Sequence, residues 1–173
     1  GPAVDNLRSA LRGQVLCPGD PGYDTTRRIF NAMIDRRPAV IARCAGAADV
    51  VAAVQFARAE ALEVSVRGGG HNAGGLGICD DGLVVDLSGI KYVRVDPLAK
   101  TVRVGAGNLW REVDHATHPF KLAVPAGIIG TTGVGGLTLG GGLGHLTRKY
   151  GMTIHCLVRP HVGLDAGNVV GAP

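Results

Sequence analysis

Arg67-Gly68-Gly69-Gly70-His71-Asn72 leaves the end of Val64-Ser65-Val66-Arg67, a short β-branched run that reads as a strand. It opens a segment with six glycines in residues 68–77, and nine more crowd residues 127–144. The second crowd is Val124-Pro125-Ala126-Gly127-Ile128-Ile129, then Thr132-Gly133-Val134-Gly135-Gly136, then Leu139-Gly140-Gly141-Gly142-Leu143-Gly144. Each glycine costs backbone entropy on folding, so such density calls for turns of positive φ or for close approach of backbone to a ligand. Consecutive glycines at a strand end let successive N–H groups form a concave cradle for an anion such as phosphate. A plain tight turn reads the same way for the first cluster taken alone. Two clusters together suggest two loops serving one large ligand. Neither carries G-x-G-x-x-G, and no Gly-Lys pair occurs, so the Rossmann fingerprint and the Walker A loop are both absent.

The 173 residues (17.7 kDa) suffice for one domain or two small lobes sharing a core. With 46% hydrophobic residues and a mean hydropathy of +0.20, a sizeable core is expected. No apolar run approaches the ~18–20 residues of a membrane-spanning helix. Gly1-Pro2 reads as the scar of a cleaved tag, and no basic-then-apolar leader follows it, so a cytoplasmic location is expected. Eighteen Lys/Arg against fourteen Asp/Glu give +4, spread evenly along the chain. With seven aromatics and no basic stripe, nucleic acid is not an expected partner. Cys17, Cys44, Cys79 and Cys156 form no C-x-x-C pair and no metal-like spacing with histidine, so free thiols and no metal site are expected.

Outward from the glycines, helices are expected over residues 4–12, 49–62 and 109–117. The second has Val50, Val51, Val54 and Ala61 inward, and the third has Asn108 as its N-cap with Trp110, Val113 and Ala116 inward. Strands are expected at 39–42, 64–67 and 83–87, and a hairpin at 92–96 and 101–105 around Pro97-Leu98-Ala99-Lys100. Pro18-Gly19-Asp20-Pro21-Gly22 is a turn. Strands alternating with helices and closing on hairpins make an α+β fold in two small lobes.

The ordered set of Arg67 to Asn72, Val124 to Gly127, Thr132 to Gly144 and Arg148-Lys149-Tyr150-Gly151 resembles the FAD-binding domain of berberine-bridge-enzyme-like oxidoreductases. These belong to the vanillyl-alcohol oxidase (PCMH-type) flavoprotein superfamily. The resemblance covers residues 35–158. It implies a two-lobed PCMH-type domain over residues 3–158, with lobes at 35–90 and 91–158 and a divergent tail at 159–173. It implies FAD held by Arg67, Gly68, Gly69, Gly70, His71 and Asn72 from the first cluster. From the second it implies Val124, Pro125, Gly127, Ile128, Ile129, Thr132, Gly133, Val134, Gly135, Gly136, Gly140, Gly141, Leu143 and Gly144. It also implies a covalent bond from His71 to the flavin's 8α carbon, a bond that a neutral imidazole can form with an electrophilic flavin. The bland alternative for His71 is a noncovalent polar contact. A second tether, from a cysteine to the flavin, falls at Ile129 and is therefore not expected. His145 is placed near the cofactor, and His155-Cys156 stand where relatives show Asp-Asn. Cys79 reads as a packed thiol.

The resemblance further implies an FAD-linked oxidoreductase, passing hydride from a small organic substrate to flavin N5, with dioxygen or another acceptor reoxidising it. The family's substrate domain has no counterpart here, and none of Tyr23, Tyr92 and Tyr150 matches its catalytic base, so no catalytic residue is assigned. A non-catalytic module binding flavin or another planar aromatic ligand stays open. A homodimer or partner chain covering an apolar face is a further expectation.

Overall fold

The computed structural model describes residues 1–163 and 168–171. Its elements, in chain order, are α1 (Pro2–Ala10), β1 (Gln14–Leu16), α2 (Tyr23–Thr26), β2 (Val40–Arg43), α3 (Ala47–Ala59), β3 (Val64–Arg67) and β4 (Leu83–Asp86). The hairpin β5 (Val93–Asp96) and β6 (Thr101–Val104) follows, then α4 (Trp110–Thr117), α5 (Val134–Leu139), α6 (Thr147–Tyr150), β7 (His161–Gly163) and β8 (Val169–Gly171). Short 3₁₀ turns occupy His118–Phe120 and Thr153–Cys156. This is the α+β fold that the strand and helix patterns imply.

The first lobe is a four-stranded sheet in the order β1-β2-β4-β3, with β1 antiparallel to β2 and the other pairs parallel. All of β4 is buried, as expected for a central strand covered on both faces. Alternate residues therefore serve two cores. Val40, Ala42, Leu83 and Val85 meet Leu7 of α1, Leu11 just past its end, and Ala53 and Ala57 of α3. Ile41 and Val84 meet Leu16, Tyr23, Ile78 and Cys79 on the other face.

Parallel strands cannot be joined by a tight turn, because the chain must travel back the length of the sheet. Residues 68–82 make that return from β3 to β4, and the first glycine cluster is its opening at the carboxyl end of the sheet. There the registers place Arg43, Asp86 and Arg67 side by side. Asp86 Oδ2 lies 2.6 Å from Arg67 Nη2 and 3.6 Å from Arg43 Nε, and Asp86 Oδ1 accepts the Ser88 N–H. Arg67 also donates to the carbonyl of Thr26. The ion pair fixes how the chain leaves β3 and β4.

Two facing expectations are corrected. The inward face of α3 is Asp49, Ala53 and Ala57; Val50, Val51 and Val54 are only half-buried, and Ala61 lies beyond the helix at φ 51°. Small side chains bring the helix close to the sheet, and Asp49 is recruited for its carboxylate, which accepts the N–H groups of Arg12 (3.0 Å), Gly13 (2.9 Å) and Ala45 (2.8 Å). Burial opposes ionisation of Asp49, yet these amides outweigh it and hold the carboxyl below its usual range. Asn108 is not the N-cap of α4; Leu109 occupies that position. The Asn108 side chain instead accepts the Tyr92 N–H and donates to Glu112, whose Oε2 takes the Leu109 N–H at 2.8 Å. Glu112 at the third helical position thus satisfies the helix start. On α4, Trp110 and Val113 are buried as expected, but Ala116 is only half-buried and Thr117 takes the next buried place.

Among the described residues the second lobe has no comparable apolar centre. Ile128, Ile129, Leu139, Leu143, Tyr150 and Val158 are all more than half exposed. The four cysteines are free thiols, Cys44 and Cys79 buried and Cys156 exposed. No helix among the described residues is long and apolar enough to cross a membrane.

Candidate functional site

The two glycine clusters meet in space. Gly69 and Gly133 approach so closely that a Cβ built on Gly69 would sit 2.7 Å from Gly133 Cα, and one built on Gly133 would sit 2.8 Å from Gly69 Cα. Only two residues without side chains can pass at this separation. The seam is anchored from the second lobe: Gly133 forms a β-bridge with Leu109, Trp110 N–H donates to the Thr132 carbonyl, and Val134 N–H donates to the Asn108 carbonyl.

Beside the seam opens a cleft of about 370 Å³. Its lining takes in Gly68, Gly69, Gly70 and His71 from the first glycine cluster, Ser88, Lys91, Gly107 and Leu109 from the start of the second lobe and the turn before it, and Arg28, Ile29, Phe30 and Thr131. It lies at the carboxyl ends of β3 and β4, where parallel strands leave room for ligands. The amides of Gly68, Gly69, Gly70 and His71 donate to no protein acceptor among the described residues. A row of uncommitted N–H groups on a glycine loop suits an anionic, pyrophosphate-like ligand. Arg28 and Lys91 add positive charge; Lys91 is partly engaged by Glu112 at 2.6 Å. Burial works against the charge of Glu112, but Lys91 and the Leu109 amide hold it ionised, its pKa below the usual carboxylate range.

His71 is held on two sides. Its Nε2 lies 3.1 Å from Thr131 Oγ1, and its ring stacks on Phe30 with centroids 4.2 Å apart at 16°. Phe30 is itself tied to the loop, its N–H donating to the Gly70 carbonyl at 3.0 Å.

Other expected site residues are placed differently. Asn72 is turned into its own loop, where its Oδ1 accepts the Leu76 N–H. Arg67 lines the cleft, but its guanidinium is committed to Asp86 and to backbone carbonyls. The second cluster divides in two. Gly133 faces the first lobe, whereas Gly135 packs within its own lobe, 3.5 Å from the Ala106 carbonyl along its Cβ direction. Gly140, Gly141, Leu143 and Gly144 belong to a separate turn packed on residues 126–127 and 152–153, with Gly141 at φ 100° and Gly142 at φ 72°. None of the expected residues of the second cluster lines the cleft, neither this turn, nor Thr132, Gly133, Val134, Gly135 and Gly136, nor Val124, Pro125, Gly127, Ile128 and Ile129; of that region only Thr131 reaches it, and His145 is exposed away from its lining. Cys79 is packed in the core of the first lobe. Phe30 and Thr131, which touch His71, carry no sequence motif. Both stand out only once the chain is folded.

The family model described as FAD binding domain matches residues 38–172. The chain is 34% identical over 161 residues to (R)-6-hydroxynicotine oxidase of Paenarthrobacter nicotinovorans, covering 93% of this chain and 35% of that protein. It is 36% identical over 156 residues to an FAD-linked oxidoreductase of Dictyostelium discoideum, covering 90% and 34%. The crystal structure of 6-hydroxy-D-nicotine oxidase from Arthrobacter nicotinovorans superimposes with a TM-score of 0.92 at 34% identity over 94% of this chain and 36% of that one. BBE-like 1 of Physcomitrella patens gives 0.91 at 31% identity over 98% and 37%. The chain thus spans about a third of the length of the relatives it matches.

Proposed function

Because this chain belongs to the FAD binding domain family of FAD-linked oxidoreductases, we propose that it is the cofactor-holding portion of such an enzyme and tethers FAD covalently through His71. The observation that carries this reading is the Gly69–Gly133 seam with its cleft: the second glycine cluster packs against the first, the first lines the cleft beside that contact, and a half-buried imidazole sits in its lining. The amides of residues 68–71 would take the pyrophosphate, with Arg28 and Lys91 lending charge and His71 standing where the flavin ring system emerges. Two lobes are the halves of that holder, the first beginning well before residue 35, since β1 at Gln14–Leu16 joins its sheet, and the second spanning residues 91–158.

When bound, FAD supplies the two-electron acceptor at N5. Hydride transfer from a small organic substrate, with reoxidation by dioxygen or another acceptor, is the activity in which this portion takes part. This chain's own share is to bind, orient and tether. The proton acceptor and the substrate pocket belong to a substrate half, and the exposed Ile128, Ile129, Leu139 and Leu143 offer the apolar face on which such a half would sit.

An absorption spectrum before and after acid precipitation tests the reading. Flavin absorbance that stays with the precipitate, and moves to the supernatant in His71→Ala, is the expected result. Colour lost to the supernatant from the unaltered chain would overturn the tether and leave FAD binding. A chain that takes up no FAD would turn the reading to a module using the cleft for another planar ligand.

A further inference from the structure

The hydrogen bond between Thr131 and His71 gives the tether a direction. Resting on the covalent reading above, we propose that Thr131 is a positioning residue that engages His71 Nε2 and so leaves Nδ1 as the nitrogen that bonds to the flavin.

A neutral imidazole carries one N–H and one lone pair, and the partner of one nitrogen decides the role of the other. Thr131 Oγ1 is 3.1 Å from Nε2, and no partner for Nδ1 occurs among the described residues. With Nε2–H donating to the hydroxyl, the Nδ1 lone pair is available. With the hydroxyl donating to Nε2, Nδ1 would carry the proton and the ring would have no free lone pair. A ring that attacks must therefore be the Nε2–H tautomer. Phe30, stacked at 4.2 Å and bound through its backbone to Gly70, lies against one face of the imidazole in that arrangement.

The same contact provides an exit for the proton. As the Nδ1–C bond forms, one C–H bond of the flavin's 8-methyl group and the Nε2–H bond are given up. The two electrons enter the flavin ring and leave with two protons to dioxygen as hydrogen peroxide. Thr131 is exposed, so its hydroxyl connects Nε2 to solvent.

The test compares the full chain with Thr131→Val and Thr131→Ser, each mixed with saturating FAD under air, following acid-stable flavin with time and the His71 ring nitrogens by ¹⁵N NMR before FAD is added. Expected are an Nε2-protonated ring in the unaltered chain, loss of that tautomer preference in Thr131→Val, attachment slowed about tenfold or more, and recovery of both in Thr131→Ser. Attachment by Thr131→Val at the unaltered rate, or an Nδ1-protonated ring in the unaltered chain, would overturn the proposal. If the unaltered chain binds FAD but never attaches it, the covalent reading fails by itself. The NMR comparison then still decides whether Thr131 sets the tautomer, and an unchanged ratio in Thr131→Val overturns that role.

Discussion

Replacing Gly69 by alanine should break the seam between the lobes. The new Cβ would stand 2.7 Å from Gly133 Cα and 3.3 Å from Leu109 Cδ2. Carbon atoms in comfortable contact sit about 3.5–4.0 Å apart, so one backbone must retreat by about 1 Å. The nearer obstacle is backbone and cannot rotate away. The cost should therefore fall toward the upper end of the usual overpacking range, about 2–3 kcal/mol. At about 2–4 °C per kcal/mol for a chain of this size, the thermal midpoint should drop by roughly 5–10 °C. Guanidinium titrations and thermal melts followed by circular dichroism measure it, with FAD uptake alongside. Gly136→Ala is the control, because nothing lies within 4 Å of its Cβ position and it sits inside α5, where alanine should add about 0.5–1 kcal/mol. Gly133→Ala should behave like Gly69→Ala, and the double substitution should cost less than the two singles together, since one widening of the seam relieves both clashes. A Gly69→Ala chain within about 0.5 kcal/mol of the unaltered one would refute the contact and, with it, the seam beside which the cleft opens.

Two further outcomes follow from buried charge. Asp86→Ala leaves Arg67 buried without its carboxylate and should destabilise the chain by about 3–5 kcal/mol in guanidinium titrations, whereas a loss below about 1 kcal/mol would show that the pair is dispensable. Asp49, whose folded pKa is depressed, contributes stability that is complete above its unfolded pKa near ~3.9 and is lost as pH falls through the lower folded value. Asp49→Asn should therefore cost about 2 kcal/mol at pH 7 and flatten the loss of stability below about pH 4. An acid limb of unchanged steepness would count against the three amide bonds.

The sequence announces the site through residues that are expensive to place and is silent about residues that are ordinary. Glycine runs need a reason, so Gly68 to Gly70 and Gly133 are legible from composition and order alone, as is the strand leading into them. Valine in a helix needs none, which is why periodicity points α3 inward through Val50, Val51 and Val54 while close packing selects Ala53 and Ala57. Long-range polar bonds such as Asp49 to Arg12 and Gly13 leave no periodic trace. Thr131 is the sharper case, since the glycine-rich motif includes Thr132 beside it and leaves Thr131 out. The choice between them is set by local turn geometry that no periodicity announces. Gly133 meets Gly69, and two residues away on each segment Thr131 meets His71. On one side the Thr132 N–H closes a turn onto the Ile129 carbonyl, and on the other Gly70 sits at φ 69° between Gly69 and His71. Thr132 gives its carbonyl to Trp110 instead. A turn on one segment and a left-handed glycine on the other decide which threonine reaches the imidazole, and neither is legible from strand or helix spacing.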